Sequence, residues 1–266
     1  WKNIPFHALR DAWERQVGTA TQYRDNTLDE SKLLDDRQLL FISIVVAHVD
    51  EYLAFVRDEG PRPAPLRVML LGTAGTGKTC AMKTMLQTLL RRLDDVGLPS
   101  TFIRVAAPTG SAAFNVRFNA TTVHRLIHWS NLRVFGELDN PAYLAGLQKH
   151  LDLTELIALD EISMVGRQMM GRIDSRCQQA KPGHRNPDSH SLGGVSLVRV
   201  GDPAQIQAIG DQQMHDLDPH PDTATKAMAQ TVRLSNTGRE IYAEFDKVII
   251  MQTAHRLAYI EDPDTV

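Results

Sequence analysis

Residues 72–79 have the sequence Gly72-Thr73-Ala74-Gly75-Thr76-Gly77-Lys78-Thr79. It matches the pattern G-x-x-x-x-G-K-[ST] at every fixed position. Glycines let the backbone curl so that successive N–H groups point inward at phosphate, and the helix predicted from Lys78 to about Asp95 adds its positive N-terminal end. The stretch therefore predicts a phosphate-binding loop in which Lys78 reaches the β- and γ-phosphates and the Thr79 hydroxyl binds Mg²⁺. A plain glycine-rich turn is the alternative.

Short apolar runs recur along the chain and predict the strands of a sheet. They are 66–71, 101–106, 156–159 and 195–200, with 248–251 as a candidate fifth. Helical patterns lie between several of them, which is typical of a parallel sheet with helices on both faces. The sequence therefore predicts an α/β fold of the P-loop NTPase class. Ligands of such sheets bind at the carboxyl ends of the strands. The loops 72–79, 107–110, 160–163 and 201–205 all follow predicted strands.

The segments outside these runs have simpler patterns. Apolar residues at helical spacing predict a helix over 34–57, and the Gly-Pro-Arg-Pro-Ala-Pro run at 60–65 ends it. The polar segments 128–152 and 178–194 predict surface insertions.

The composition limits the classes of function. Hydrophobic residues make up 42% and charged residues 23% of the 266, as in an average globular protein. The net charge of −3 lacks the basic balance of many nucleic-acid binders, so any DNA site must be a local patch or be completed by residues outside this sequence. Cys80 and Cys177 form no Cys-x-x-Cys pair, which favours reduced thiols and an intracellular location. No 18-residue apolar run predicts a membrane span.

Two carboxylates follow the apolar run 156–159. In a P-loop enzyme Asp160 holds Mg²⁺ through water, and Glu161 orients and deprotonates the attacking water. Apolar runs that end in acidic residues are common, so this pair alone is weak evidence. It indicates a catalytic site because a phosphate loop precedes it in the chain.

Two further strand ends carry candidates with open alternatives. Gln205, in Gly201-Asp202-Pro203-Ala204-Gln205, suits a contact with the γ-phosphate or the attacking water, but Gly-Asp-Pro also forms plain turns. The segment 107–113, Ala-Pro-Thr-Gly-Ser-Ala-Ala, predicts a helix start that either holds a nucleic-acid phosphate or is simply capped by Thr109 or Ser111.

These pieces occur in a fixed order that resembles the Pif-one (petite integration frequency) helicases of superfamily 1B, which include relatives in Helitron transposons. The phrases APTGSAAFN and DEISMV are the most similar parts, and the resemblance covers about residues 30–260. It implies the RecA-like first motor domain of an ATP-driven 5′-to-3′ DNA helicase. Residues 1–29 are then a flank, about 128–152 a small insertion, and 261–266 the start of a second motor domain. For a eukaryotic protein, the resemblance is compatible with a location in the nucleus or in the mitochondrion.

The resemblance also implies roles for single residues. Gln38 reads adenine, Lys78 and Thr79 contact phosphate and Mg²⁺, and Asp160 and Glu161 are metal ligand and base. Gln205 matches the γ-phosphate sensor, and Arg256 is similar to an arginine that stabilises transition-state charge. Four residues fall on positions that contact single-stranded DNA: Pro108, Thr109, Gly110 and His124. Trp129 either stacks on a base or anchors the core.

The chain departs from the family pattern in three places. Ile-Gln-Ala-Ile follows Gln205 instead of Leu-Pro-Pro, and Arg117-Phe-Asn-Ala precedes Thr-x-His where a glycine is usual, with Arg125 after it. The later motifs of the second motor domain are missing, so we expect these 266 residues alone to bind Mg·ATP weakly, hydrolyse it slowly and not unwind DNA. Two alternatives stay open: a degenerate transposon-derived module that binds nucleotide or DNA without turnover, and another P-loop ATPase of the clamp-loader or small-molecule kinase type. Gln38 and the segment 107–115 speak against the second.

Overall fold

The computed structural model describes residues 34–129, 135–181, 191–216, 218 and 226–253. Six strands occur in this part of the chain: β1 Arg67–Leu71, β2 Ile103–Ala107, β3 Thr121–Thr122, β4 Leu156–Leu159, β5 Ser196–Gly201 and β6 Lys247–Ile250. They form one sheet in the order β3-β2-β4-β5-β1-β6. The pairs β2–β3, β2–β4 and β4–β5 are parallel. The α/β P-loop architecture predicted from the sequence is thereby confirmed.

Seven α-helices accompany the strands in the described part of the chain. They are α1 Asp36–Val56, α2 Lys78–Asp95, α3 Gly110–Val116, α4 Val123–Leu126, α5 Pro141–Leu151, α6 Arg167–Ala180 and α7 Lys226–Ala243. Short 3₁₀ turns lie at Ser100–Phe102, Ile162–Met164 and Ser191–Gly194. The helices predicted over 34–57 and from Lys78 onward are confirmed as α1 and α2.

The chain divides into two compact units. Of the described residues, 34–63, 70–97 and 249–253 belong to the first unit. The second contains 64–69 and the described residues between 98 and 248.

The first unit is built around α1 and α2, which pack against each other. Residues Ala81, Met82, Met85, Leu86, Leu89 and Leu93 form the buried stripe of α2 at helical spacing. Among the described helices, α1 is the one that is long and apolar enough to cross a membrane, judged by length and composition alone. Its apolar residues are interrupted by polar ones. Nine of its 21 residues are buried inside the protein, which is the pattern of a core helix.

The second unit contains the buried centre of the sheet. All four residues of β4 and all six of β5 are buried, as continuous apolar runs predict for a parallel sheet covered on both faces. The helices α6 and α7 approach closely through two glycines. A Cβ added to Gly171 would lie 2.2 Å from the Leu234 carbonyl oxygen, and one added to Gly238 would lie 2.0 Å from the Arg167 carbonyl oxygen.

The two polar segments are more than surface insertions, and this prediction needs correction. Within 128–152, α5 starts at the cap residue Asn140 and buries Leu147 and Leu151. Within 178–194, α6 continues to Ala180, and Leu192 is fully buried in the turn before β5. The polar composition of these segments predicts a surface location. The apolar residues that anchor them are too few to change that prediction. The two-residue strand β3 was also not predicted, because it is too short to form a pattern.

Candidate nucleotide and nucleic-acid sites

The phosphate loop runs from the end of β1 into α2 with the backbone that its glycines predict. Gly75 and Gly77 have φ of 83° and 82°, in the left-handed region that favours glycine. The loop is closed by the Thr76 hydroxyl, which donates to the Thr73 carbonyl at 2.9 Å and is buried. The second of the two glycines is also the cap residue of α2. Glycines within the loop and a hydrogen bond between residues three apart therefore contribute to its shape.

The Lys78 side chain folds back over this loop. Its ammonium group donates to the carbonyl oxygens of Gly72 at 2.6 Å and Thr73 at 2.8 Å. Thr79, the next residue, is exposed in the first turn of α2. The positive charge and the hydroxyl therefore lie at the N-terminal end of α2, the helix end that favours anions, and their contacts with phosphate and Mg²⁺ stay predictions.

Gln38, which the resemblance implies reads adenine, contacts the phosphate loop. It is buried in the first turn of α1, where it forms a reciprocal capping box with Asp35: the Asp35 carboxylate accepts from the Gln38 N–H, and the Gln38 amide oxygen accepts from the Asp35 N–H, both at 2.8 Å. The amide nitrogen of Gln38 donates to the Gly77 carbonyl at 3.3 Å. One side chain therefore joins the start of α1 to the phosphate loop.

Arg37 is a contact residue that sequence reasoning missed. Its guanidinium donates to the Ile250 carbonyl at 2.5 Å and to the Gln252 amide oxygen at 2.8 Å. The backbone N–H of Met251 in turn donates to Leu71, the residue before the loop. Its only sequence signal is its position next to Gln38. Arg256, four residues beyond Gln252, lies outside the described residues.

Asp160 and Glu161 leave β4 with an unusual backbone. Asp160 is 7% exposed and its N–H donates to the Ala106 carbonyl at 3.0 Å, which continues the pairing with β2. Glu161 has φ 52° and ψ 51°, the left-handed conformation that costs a non-glycine residue about 1–3 kcal/mol. Strain of this kind is concentrated at functional sites, and it directs the chain sharply away from the sheet directly after the buried carboxylate.

The loop that carries Gln205 is joined to the Glu161 segment. The Asp202 carboxylate accepts from the Ala204 N–H at 3.0 Å, so the turn alternative describes the backbone correctly. A Cβ on Gly201 would lie 2.8 Å from the Ile162 N, and the Ala208 N–H donates to the Ser163 carbonyl at 3.1 Å. The structure therefore brings the base candidate and the sensor candidate onto two contacting loops, with Gln205 itself half-buried.

The four nucleic-acid candidates are brought together by a short strand pair. In the β2–β3 register Ala107 pairs with Thr122, so Pro108, Thr109 and Gly110 leave one strand beside the point where His124 follows the other. The Thr109 hydroxyl accepts from the Ala112 N–H at 3.2 Å, which makes it the cap of α3, as the structural alternative predicts. A capping role leaves Gly110 exposed at the start of the helix.

Trp129 is a core anchor. It is 9% exposed, its ring stacks on His124 with centroids 5.1 Å apart, and the Arg172 guanidinium lies 4.6 Å over it. Burial, followed by the charge of Arg172, lowers the pKa of His124. The buried Trp129 ring therefore packs against the His124 ring. The interpretation that Trp129 stacks on a base is wrong for this conformation.

Comparisons with known proteins agree with this architecture. A family model described as an AAA domain matches residues 65–247. The chain belongs to the AAA domain family. In structure this AAA domain is similar to the Pif1 helicase of Candida albicans, with a TM-score of 0.54, 19% identity, and coverage of 83% of this chain and 40% of that one. The predicted resemblance to the Pif-one helicases is thus confirmed at the level of the fold.

Curated relatives of the AAA domain include RecD subunits of the RecBCD enzyme. The RecBCD enzyme subunit RecD of Mycolicibacterium smegmatis is 28% identical over 161 residues, which cover 53% of this chain and 25% of the relative. The same subunit of Mycobacterium tuberculosis strain H37Rv is 29% identical over 169 residues, which cover 57% and 27%. The chain spans about a quarter of the length of these relatives.

The residues of the AAA domain suit Mg²⁺ as the metal. Among the described residues no cluster of three or more His, Cys, Asp or Glu side chains forms a dedicated metal cage. The predicted ligands, the exposed Thr79 hydroxyl and the Asp160 carboxylate, are hard oxygen donors. Mg²⁺ prefers such donors and takes its other ligands from water and substrate phosphates, so each of these two side chains is chemically suited to it.

Proposed function

We propose that this AAA domain is the ATP-hydrolysing motor of a DNA helicase that moves 5′ to 3′ on single-stranded DNA. The observation that carries the proposal is the bond from Gln38 to Gly77, which joins a glutamine suited to adenine to the phosphate loop. The fold of Pif1 helicase and the RecD relatives support it. A small-molecule kinase has no need of the upstream glutamine or of the segment 107–115.

Each chemical role in the proposal falls to a group described above. Lys78 and the backbone N–H groups of the loop stabilise charge on the β- and γ-phosphates. Thr79 and Asp160 hold Mg²⁺, which when bound neutralises phosphate charge. Glu161 positions a water molecule and accepts its proton, and Gln205 contacts the γ-phosphate. Arg256 completes the charge stabilisation in the transition state.

Single-stranded DNA is the proposed partner. Pro108, Thr109, Gly110 and His124 leave the paired ends of β2 and β3, so a phosphate backbone can contact them as one group. In this proposal the DNA strand touches the same sheet whose strand β4 ends in the catalytic carboxylates. Binding of DNA at β2 therefore has a short route to Glu161 through the β2–β4 pairing.

The decisive experiment is ATP hydrolysis measured with and without single-stranded DNA. We expect Lys78→Ala to lower turnover at least about 100-fold, because it removes the principal positive charge at the phosphates. Glu161→Gln should still bind ATP but cleave it about 100-fold or more slowly, because it removes the base. Lys83→Ala, a change of a half-exposed lysine on the same helix, is the matched control and should behave as the parent.

Three outcomes separate the hypotheses. DNA-stimulated hydrolysis that is lost in Lys78→Ala supports the motor. Nucleotide binding without hydrolysis by the parent supports a degenerate binding module. Hydrolysis that ignores DNA supports another kind of P-loop ATPase, and hydrolysis by Glu161→Gln at the parent rate refutes the assignment of the base.

A further inference from the structure

The helix α3 presents a large aromatic side chain to solvent. Phe114 is 82% exposed, while Ala113 and Val116 are buried on the opposite side of the helix. Ser111 and Asn115 are also exposed, and they lie on the Phe114 side at helical spacing. A packing role explains the buried pair and leaves the exposed phenylalanine without a structural purpose.

The turn after α3 is held in a strained conformation. Three consecutive non-glycine residues have positive φ: Arg117 at 67°, Phe118 at 51° and Asn119 at 55°. The turn is tied at both ends, because the Arg117 N–H donates to Ala113 and its carbonyl accepts from Ala120. Such conformations are unfavourable and cluster at ligand clamps and active sites. Their effect here is to hold Arg117 exposed directly after the helix that carries Phe114.

The stretch of sequence that contains α3 is cationic although the chain is acidic overall. Residues 96–136 contain four arginines and two histidines but no aspartate or glutamate, in a protein of net charge −3. Among the described members of this stretch, Arg117, Arg125 and His128 are exposed. A local patch of this kind is what an acidic chain needs to bind a polyanion.

We propose that Phe114 and Arg117 form a contact for single-stranded DNA, in which the Phe114 ring stacks on an unpaired base and Arg117 and Arg125 pair with phosphates. The inference rests on the proposed function and extends it to residues outside the four implied by family resemblance. The charges alone would suit any polyanion. The exposed ring selects a single strand, because only an unpaired base offers a free face for stacking.

Binding of a fluorescent oligothymidine to the parent and to variants tests the proposal. Phe114→Ala should weaken binding about 10- to 100-fold, as expected for loss of one stacked base, and Phe114→Trp should restore it. Arg117→Ala should weaken binding and reduce the slope of log K against log salt by about 0.7, the value for one phosphate contact on a single strand. The Phe114→Ala variant should keep the parent slope, since the ring carries no charge.

Matched controls use residues outside the cationic stretch. Tyr143 on α5 is 68% exposed, and Arg233 on α7 is exposed. Tyr143→Ala and Arg233→Ala should bind the oligonucleotide as the parent does, and thermal melting checks that every variant is folded. A blunt duplex should show little effect of Phe114→Ala, because its bases are already stacked.

The outcomes distinguish this inference from the proposed function. If the parent does not bind oligothymidine even at low salt, the proposed DNA partner is wrong and the contact falls with it. If the parent binds but Phe114→Ala and Arg117→Ala bind equally well, only the contact is wrong. Equal losses in Phe114→Ala and Tyr143→Ala would also overturn it, because they would show a general effect of exposed aromatic rings.

Discussion

Replacing Arg199 by methionine should stabilise the protein. Arg199 lies in the centre of β5 and is 1% exposed. Its Nε and Nη1 atoms have no hydrogen-bond partner among the described residues. Within the part of the chain that the structure describes, the guanidinium carbon lies 5.9 Å from the centroid of the Tyr242 ring and 5.7 Å from that of the Phe245 ring. A buried charge without a counter-ion opposes folding.

The size of the effect follows from the pKa. Burial lowers the pKa of Arg199 from its ordinary value to about 10. Each tenfold change in proton affinity corresponds to about 1.4 kcal/mol, so keeping this side chain charged at neutral pH costs the folded state roughly 3 kcal/mol. The two aromatic contacts return about 1 kcal/mol. Methionine has similar length and favourable contacts with aromatic rings, so we expect Arg199→Met to raise the free energy of unfolding by about 1–3 kcal/mol.

Urea denaturation at neutral pH measures this change, and a second buried arginine provides the control. Arg67 on β1 is 4% exposed but fully bonded: it pairs with Glu244 at 3.0 Å and donates to Ser191 and to the Val195 carbonyl. Arg67→Met should therefore lose at least about 2 kcal/mol, because it leaves buried acceptors unsatisfied. A loss of more than 1 kcal/mol in Arg199→Met, at an unchanged urea slope, would refute the reasoning about uncompensated charge.

Two further predictions concern stability in the second unit. Gly171→Ala and Gly238→Ala should each lose about 2 kcal/mol or more in urea denaturation, because the added methyl group would lie within 2.2 Å of a backbone oxygen of the facing helix. Gly146→Ala on α5, where nothing lies within 4 Å, should be neutral or gain up to about 1 kcal/mol, and equal effects at all three positions would contradict the close helix contact. Burial, followed by nearby positive charge, lowers the pKa of His150 to about 4, whereas the unfolded chain has a value near 6.5. The folded state favours neutral His150, so its contribution is complete above about pH 6.5 and is lost as the pH falls towards 4, by roughly 1 kcal/mol after allowance for partial exposure. The stability of His150→Gln should therefore decline less between these pH values, and parallel pH profiles for variant and parent would exclude this role.

The parts of the site that the sequence predicts are those set by local chemistry. The phosphate loop needs glycine at the positions that adopt positive φ, and Gly75 and Gly77 do so. Strand β4 begins and ends at the same residues as the apolar run that predicts it, and all four of its residues are buried. The capping box of α1 involves residues three apart, so Gln38 is also fixed locally.

The parts that could not be predicted depend on contacts between distant segments. In the sequence, Gly171 and Gly238 are glycines that merely lower the helix propensity of their segments. The packing of α6 on α7 explains them, because a side chain at either position would clash with the facing helix. His124 stacks on Trp129, and the Arg172 guanidinium that lies over the Trp129 ring comes from the distant helix α6. Positive φ at Glu161 is likewise invisible in the sequence, because glutamate does not favour it.

One departure from the pattern of the helicases that the sequence resembles falls in a strained turn. Where the family usually has a glycine before Thr-x-His, this chain has Arg117-Phe118-Asn119-Ala120, and the first three adopt positive φ. Asparagine tolerates the left-handed region better than other non-glycine residues, so Asn119 preserves the turn at small cost. Phe118 has no such tolerance, and a purely structural connection would have no reason to keep it there. The turn leaves Arg117 exposed directly after α3, which is the position that the proposed contact with single-stranded DNA requires.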